Sequence, residues 1–361
     1  MPAFCQHTRK PLRPLSSIYP SFATAPGSND FAISDDGVIY YLKANSLDYG
    51  PEYFLEEYEN QYGKSYLEDE SNLRNMARRR LEWMEETIRA GNHIVPWDHP
   101  RGPALLEIGS AAGFFLDEAR ERGFRTTGIE VSGFASDFAE KRGHHIIRQS
   151  FLASTLFQDH GFAELAGKAN APKGLDHTHS EDEQMILEQE SKLSSQSEAR
   201  EAYTTPAQDS DRYPHSKARK AYWASAEVPP NQGFVDVIAA FYTLEHFSDQ
   251  ALAFRRLSKL LKPGGLLLLA IPSYHGPVFH CSPAQWLQSH PQDHFADYSP
   301  ESLARTLDFY GMQQIGIRPA SFHKKRMCGW RRFLPDGLYR RWANKESYGD
   351  TMEVIARKLD A

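Results

Sequence analysis

A run of small residues follows the apolar segment Ala104–Ile108 and offers a place where a ligand can lie against the backbone. The run contains Gly109, Ser110, Ala111 and Gly113. Small side chains allow close approach to the main chain, and the helical pattern that begins at Phe114 has unpartnered N–H groups in its first turn. Ala111 stands where a dinucleotide-binding G-x-G-x-x-G loop has its middle glycine, so the run does not match a pyrophosphate-binding loop.

Glu130 is the second candidate, at the end of the next predicted strand. A carboxylate at the carboxyl end of a strand can accept hydrogen bonds from both hydroxyls of a ribose. The alternative is a solvated acid at a strand end, which is common. Because Glu130 and the small-residue run have the separation that is typical of a nucleoside site, we interpret them as parts of one site.

Two histidines near an aspartate are a third set of candidates. His290, Asp293 and His294 lie in the segment QSHPQDHFADYS. A loop that contacts a substrate, a metal site and a polar anchor for the next helix are the three alternatives. The spacing matches no standard metal-binding pattern, so the sequence predicts no metal site.

Cysteine usage gives no framework of its own. Cys5, Cys281 and Cys328 form no C-x-x-C pair, which supports neither a zinc knuckle nor a disulfide framework. We expect reduced thiols in a cytoplasmic protein.

The spacing of apolar residues places these candidates in alternating strands and helices. An amphipathic helix ends at Gly91, and the pattern then predicts three strands, over 104–108, 125–130 and 145–148, with two helices between them. Two more strands follow at 235–240 and 266–271, separated by a helix and the turn 262–265. Ser299 and Pro300 begin another helix, and the segments 313–318 and 352–357 are expected to form a hairpin at the edge of the sheet. This alternation is typical of parallel βαβ units.

Composition divides the chain into five parts. We predict an irregular tail over 1–35, an aromatic N-terminal cap over 36–71, and an α/β domain in two halves, 72–154 and 233–361. The intervening segment 155–232 is polar and has few large apolar residues, so we expect a largely disordered insertion.

Charge and hydropathy disfavour several classes of partner. The formal net charge is -6 and the mean hydropathy is -0.58, so no global basic field attracts nucleic acid or anionic lipid. No apolar run has the length of a membrane span, and the sequence does not determine the oligomeric state.

Four motifs in this order resemble the class I S-adenosylmethionine-dependent methyltransferases, in particular the small-molecule type with an LEH motif after strand four. They are LLEIGSAAG (105–113), GIE (128–130), FVDVIAAFYTLEHFSD (234–249) and LKPGGLLLLAIPS (261–273). The resemblance covers 72–150 and 233–357. It implies a Rossmann-like α/β fold: a seven-stranded, mostly parallel sheet with a reversed edge hairpin and helices on both faces.

The resemblance also implies roles for individual residues. Glu107 and the backbone of the small-residue run would hold the methionine part of S-adenosylmethionine, and Glu130 the ribose. Phe241 and Tyr242 would lie under the cofactor near its methyl group. Gln149 or Ser150 would meet the adenine. Tyrosines of 49–66 would either cover the cofactor as a lid or pack the cap.

Methyl transfer from a sulfonium is an in-line displacement, and a base is needed only for a protonated acceptor. His246 is the candidate base; bracing the next helix is its alternative role. We therefore expect a methyltransferase acting on a small-molecule acceptor. A non-catalytic methyltransferase-like scaffold and an NAD-dependent oxidoreductase are the alternatives, and Ala111 together with the PGG turn disfavours the oxidoreductase.

Overall fold

The structure is a computed structural model, and it describes residues 4–47, 50, 58–93, 95, 97, 99–152 and 233–359. The predicted insertion 155–232 lies outside the described residues, as do Tyr49, Tyr53 and Phe54 of the predicted cap.

Eleven strands occur within the described residues. They are β1 (Arg13–Pro14), β2 (Phe31–Ile33), β3 (Ile39–Tyr41), β4 (Ala104–Ile108), β5 (Arg125–Ile129), β6 (His145–Ile147), β7 (Val235–Phe241), β8 (Leu261–Pro272), β9 (Ala296–Asp297), β10 (Met312–Pro319) and β11 (Thr351–Lys358).

The same part of the chain contains nine α-helices. They are α1 (Tyr58–Tyr62), α2 (Glu70–Ala90), α3 (Phe114–Glu121), α4 (Gly133–Lys141), α5 (Gln250–Leu260), α6 (Pro277–Cys281), α7 (Pro283–Gln288), α8 (Pro300–Phe309) and α9 (Asp336–Glu346).

Seven strands form the central sheet in the order β10-β11-β8-β7-β4-β5-β6. The five strands from β8 to β6 are parallel, and β11 runs antiparallel to both of its neighbours. This confirms the predicted Rossmann-like, mostly parallel sheet with an antiparallel strand pair at one edge. The chain runs outward from β4 through β5 and β6, then returns to the other side of β4 as β7. The carboxyl ends of β4 and β7 therefore flank a topological switch point, where ligands bind in open α/β sheets.

Local sequence signals explain where the helices begin and end. The Ser132 hydroxyl accepts a hydrogen bond from the third residue of α4, and Ser299 forms a capping box with Ser302 at the start of α8. Pro300 occupies the first turn of α8, and α2 ends at Gly91. These caps agree with the predicted helix boundaries.

The core lies on the sheet beneath α2 and α3. All five residues of β4 are buried, as expected for the central strand of a parallel sheet. Leu81 and Met84 of α2 pack there with Leu116 of α3, Val237 of β7 and Leu268 of β8. This packing fixes the ends of β4 and β7, from which the site is built.

The N-terminal segment differs from the predicted irregular tail of 1–35. Its residues form β1 and β2, which join β3 and β9 in a separate four-stranded sheet. Leu15, Phe22 and Phe31 are buried against Tyr274 and Phe279. The apolar residues of the segment are scattered among proline, serine and glycine, so they show no periodicity, and their partners lie far along the chain.

Two further predictions are corrected. Cys281 and Cys328 form a disulfide across 47 residues, so the expectation of reduced thiols was wrong for this pair, while the free cysteine among the described residues is Cys5, which is buried. The spacing gave no signal because the partners meet only through tertiary packing. The predicted turn 262–265 lies inside β8, where Gly264 has φ +75°.

None of the helices within the described residues combines the length and apolar character that crossing a bilayer requires.

Candidate cofactor and acceptor site

The small-residue run forms the turn between β4 and α3, at the switch point. Gly109, Ala111 and Gly113 have φ of +72°, +44° and +80°, so the turn alternates through the left-handed region. A Cβ at Gly109 would lie 2.5 Å from Oγ1 of Thr243, which follows β7. Only glycine fits there, because the two loops touch. Ala111 adopts the same conformation at a steric cost, and such strain is concentrated at functional sites.

Glu130 follows β5 and is 6% exposed. Its Oε2 accepts a hydrogen bond from the N–H of Ala111 and its Oε1 from the N–H of Ser132, both at 2.8 Å. Burial raises the pKa of Glu130, and the backbone hydrogen bonds oppose the shift. Each carboxylate oxygen has a second lone pair, so the carboxylate can still receive hydroxyl groups while it braces the loop. The loop and the acid that the sequence paired do lie together.

Two buried polar atoms beside this loop lack partners. Oε2 of Glu107, in β4, and Oγ of Ser110 have no hydrogen-bond partner among the described residues. Burial raises the pKa of the Glu107 carboxyl well above its usual range, and the charge of Arg80 only partly opposes this. A buried polar atom without a partner costs about 1–3 kcal/mol. A ligand that offers donors here would remove that cost, so both residues fit the polar part of a bound cofactor.

Arg80 of α2 is a site residue that sequence reasoning missed. It is 8% exposed, and its Nε donates to Oε1 of Glu353 at 2.7 Å. The guanidinium carbon lies 4.1 Å from the ring centre of Phe241 and 6.0 Å from that of Tyr242. The only sequence signal was its position next to the apolar stripe of α2, and an arginine in such a position is usually solvated. The structure shows it as a cation at the end of β7.

Phe241 and Tyr242, predicted to lie under the cofactor, end β7 at the switch point. The Phe241 ring contacts Phe115 edge-on at 4.8 Å, whereas Tyr242 is 41% exposed. Tyr242 has φ +54°, an unusual conformation for an aromatic residue. The left-handed residues Ala111 and Tyr242 therefore stand on the two loops that flank the switch point.

The described part of the predicted lid lies at the start of α3. The Tyr66 ring stacks on Phe114 with centres 5.7 Å apart, and Tyr58 meets Tyr66 edge-on at 5.2 Å. This places the tyrosines beside the small-residue run. Of the predicted adenine contacts, the Ser150 hydroxyl accepts from the N–H of Leu152.

A second group of polar residues lies beyond the end of β7. His246 ends a short 3-10 turn, Leu244–His246, and its Nδ1 lies 2.9 Å from Oδ2 of Asp293. Its ring meets that of His294 edge-on at 4.9 Å. His290 Nε2 lies 2.8 Å from Oδ2 of Asp297. The structure thus unites the LEH motif with the predicted 290–294 loop.

Burial controls the protonation of this group. Burial raises the pKa of Glu245 to about 7 and lowers that of His294 to about 4. Burial also lowers the pKa of His246, but the hydrogen bond to Asp293 and the charge of Glu245 outweigh it, so the net shift is upward.

A cavity of about 480 Å³ lies elsewhere, between the N-terminal sheet and the start of α8. Its lining includes Arg13, Tyr19, Asp36, Tyr274 and Arg305. None of the site residues predicted from the sequence lines it.

Comparison with known proteins gives the family. A family profile described as a methyltransferase domain matches residues 76–315, more than half of the chain. The sequence matches no curated protein.

Solved structures with similar folds include three methyltransferases. An S-adenosylmethionine-dependent methyltransferase from Archaeoglobus fulgidus is 13% identical, with 86% of this chain and 100% of that chain covered and a TM-score of 0.42. One from Mesorhizobium loti is 12% identical, with 72% and 94% covered and a TM-score of 0.38. A geranyl diphosphate C-methyltransferase from Streptomyces coelicolor A3(2) is 11% identical, with 76% and 77% covered and a TM-score of 0.38.

The chain belongs to the methyltransferase family, and the class I S-adenosylmethionine-dependent type predicted from its motifs is confirmed. It is an enzyme of this class, with S-adenosylmethionine as cofactor. The family profile spans six of the seven strands of the central sheet in whole or in part, from β4 to β10.

Proposed function

We propose that this methyltransferase transfers the methyl group of S-adenosylmethionine to a small-molecule acceptor by in-line displacement. The observation that carries the proposal is a pair of buried atoms, Glu107 Oε2 and Ser110 Oγ, that have no partner in the described part of the chain and lie beside the left-handed turn at the switch point. These atoms need a polar ligand, and the turn leaves no room for a Cβ at Gly109.

Each part of the cofactor has a residue of suitable chemistry. Glu107 would receive the ammonium group of the methionine part, and the backbone of Gly109 to Gly113 would lie against that part. The Arg80 guanidinium would attract the methionine carboxylate. Glu130 would accept the ribose hydroxyls with the lone pairs that its two backbone contacts leave available.

The chemical step asks mainly for alignment. A sulfonium is already an activated electrophile, so the enzyme must hold the acceptor in line with the methyl group and exclude water. The rings of Phe241 and Tyr242 lie at the end of β7, where an aromatic face can attract a sulfonium by cation–π interaction. The exposure of Tyr242 gives it access to both substrates.

An acceptor that arrives as a phenol or alcohol must lose a proton, and His246 is the candidate base. Asp293 holds Nδ1, so Nε2 is the ring nitrogen that would take the proton. The net upward shift of the His246 pKa favours a ring that accepts a proton near neutral pH.

A small acceptor is supported by the walls of the acceptor side. Strand β9, at the end of the 290–297 segment, pairs with β3 of the N-terminal sheet, and this sheet would form one wall of the acceptor side. The net charge of -6 disfavours a nucleic-acid acceptor.

Calorimetric titration of the full chain with S-adenosylmethionine, S-adenosylhomocysteine and NAD tests the cofactor assignment. We expect saturable binding of the two sulfur compounds and none of NAD. Transfer of labelled methyl from S-adenosylmethionine to a panel of small phenols, amines and carboxylates then tests the acceptor class. Binding without transfer to any small acceptor, together with transfer to RNA or protein, would refute the small-molecule assignment.

A further inference from the structure

A carboxylate and two imidazoles converge beyond the end of β7. One side-chain ligand atom from each of Glu245, His246 and His294 lies within 4.8 Å of the other two. We infer that these three residues form a binding site for a divalent transition-metal ion. None of the three residues is assigned to the cofactor, and the site departs from the expectation of no metal that the 290–294 spacing produced.

The Glu245 carboxylate is the first argument. It is 2% exposed, and neither of its oxygens has a hydrogen-bond partner among the described residues. Taking a carboxylate out of water without hydrogen bonds is among the most costly burials in a protein. Buried charges are normally paired or bound to metal, and a cation between Glu245 and the imidazoles would provide the missing partner.

The second argument is the support of the imidazoles. Histidines that bind metal usually donate their other ring N–H to a carboxylate or carbonyl, which fixes the tautomer. His246 Nδ1 lies 2.9 Å from Oδ2 of Asp293 and 3.3 Å from its backbone oxygen. Ligation would therefore fall to Nε2 of His246.

The geometry needs little adjustment. Ligand atoms around a tetrahedral ion with bonds of about 2.1 Å are roughly 3.4 Å apart. The ligand atoms of Glu245, His246 and His294 are at most 4.8 Å apart, so rotations of the side chains would bring them to an ion.

An overlapping group, His290, His294 and Asp297, meets the same distance limit. There, however, the Nε2 of His290 and the Asp297 carboxylate already satisfy each other at 2.8 Å. The ring of His290 also packs edge-on against Phe31 and Tyr41. We therefore assign the ion to the group with Glu245, and His290 with Asp297 to the wall beside it.

The ligand set indicates the kind of ion. Two imidazoles and one carboxylate suit zinc, iron and similar ions, whereas magnesium and calcium prefer oxygen ligands. Three protein ligands leave coordination positions for water or for an oxygen of the acceptor. Because ligation uses the nitrogen that would otherwise accept a proton, the base role proposed for His246 applies only to the metal-free enzyme.

The test uses the full chain after removal of metal with a chelator. Titration calorimetry with zinc and with manganese measures the stoichiometry and affinity for wild type, Glu245→Gln, His294→Ala and Asp293→Asn. Glu301→Gln and His323→Gln are matched controls that remove a carboxylate and an imidazole elsewhere. S-adenosylhomocysteine binding and circular dichroism report whether each variant is folded.

We expect wild type and both controls to bind one ion, and zinc to raise their melting temperature. Asp293→Asn should lose about 10- to 100-fold in affinity, as expected for removal of a supporting carboxylate. Glu245→Gln and His294→Ala should lose more, with no metal-induced rise in melting temperature, while S-adenosylhomocysteine binding persists. No metal binding by wild type, or equal binding by the folded ligand variants, would overturn the site without affecting the proposed methyl transfer.

Discussion

Replacing Glu130 by glutamine tests whether this residue binds the cofactor in addition to stabilising the fold. The carboxylate receives one backbone N–H on each oxygen, from Ala111 and from Ser132, both at 2.8 Å. Glutamine keeps one acceptor oxygen and turns its amide donors toward the other N–H, so one charge-assisted hydrogen bond is lost. That loss costs about 1.5–3 kcal/mol. With a fall of about 2–4 °C per kcal/mol in a domain of this size, the melting temperature should drop by roughly 3–12 °C.

The cofactor should respond separately. Glutamine cannot accept both ribose hydroxyls, and losing one charged acceptor weakens binding by about 1.5–3 kcal/mol, or roughly 10- to 150-fold in Kd. Asp236→Asn is the matched control. Asp236 is fully buried at the start of β7, where its carboxylate accepts the N–H of Ala104 at 2.7 Å and the Lys262 ammonium at 2.9 Å. It serves the same structural purpose at the amino ends of the strands, away from the switch point.

The assay combines thermal unfolding with calorimetric titration of S-adenosylhomocysteine. Both variants should lose comparable stability, and only Glu130→Gln should lose affinity. A wild-type Kd for Glu130→Gln would remove Glu130 from the cofactor site. An equal loss of affinity in Asp236→Asn would show that general loosening of the sheet, and not ribose recognition, explains the effect.

Three further changes test other parts of the structure. Gly109→Ala should lower the stability of the fold and weaken S-adenosylhomocysteine binding, because its Cβ would lie 2.5 Å from a hydroxyl oxygen. Gly27→Ala is the control, since Gly27 has φ +86° and a Cβ there would have no atom within 4 Å. Chemical denaturation of this control should show only the backbone strain of about 1–2 kcal/mol. Reductant should lower the melting temperature of wild type, because the disulfide between Cys281 and Cys328 closes a loop of 47 residues and adds about 4 kcal/mol to the free energy of unfolding. A variant with alanine at both cysteines should not respond to reductant. Burial lowers the pKa of His7 to about 3, so the folded state rejects a proton that the unfolded state takes up below about 6.5. The free energy of unfolding should therefore fall as the pH is lowered from about 6.5 toward 3. Urea unfolding at pH 7 and at pH 5 should show that wild type loses about 2 kcal/mol more than His7→Gln over this change.

The central sheet could be predicted because its signals are local. The apolar run of β4 is buried along its whole length, and Ser132 and Ser299 cap the helices that follow them in sequence. Gly109 and Glu130 could be singled out from the sequence for the same reason, since the small-residue turn and the strand-end acid are each recognisable within a few residues. Their placement in one site followed from the parallel order of β4 and β5.

The missed features depend on contacts between distant segments. Phe31 becomes a core residue only because β2 packs near Tyr274 and Phe279. The whole of β10 lies between Cys281 and Cys328 in the sequence, and no local sequence pattern around either cysteine indicates that the other is its disulfide partner. Arg80 lies next to the apolar stripe of α2, where an arginine is usually solvated, whereas Glu353 of β11 and the ring of Phe241 bury it.

The difference between local signals and contacts of distant segments explains why the cofactor side is easier to predict from the sequence than the acceptor side. The cofactor side is formed by turns that directly follow β4 and β5, so each motif contains its own geometry. The proposed acceptor side combines the turn after β7, the 290–297 segment and a sheet made by the N-terminus. Glu245 has no hydrogen-bond partner within its own motif. The proposed metal site around its buried carboxylate is complete only with His294, which lies in the 290–297 segment. Acceptor specificity in this enzyme should therefore respond to changes in the N-terminal sheet that leave the cofactor motifs untouched.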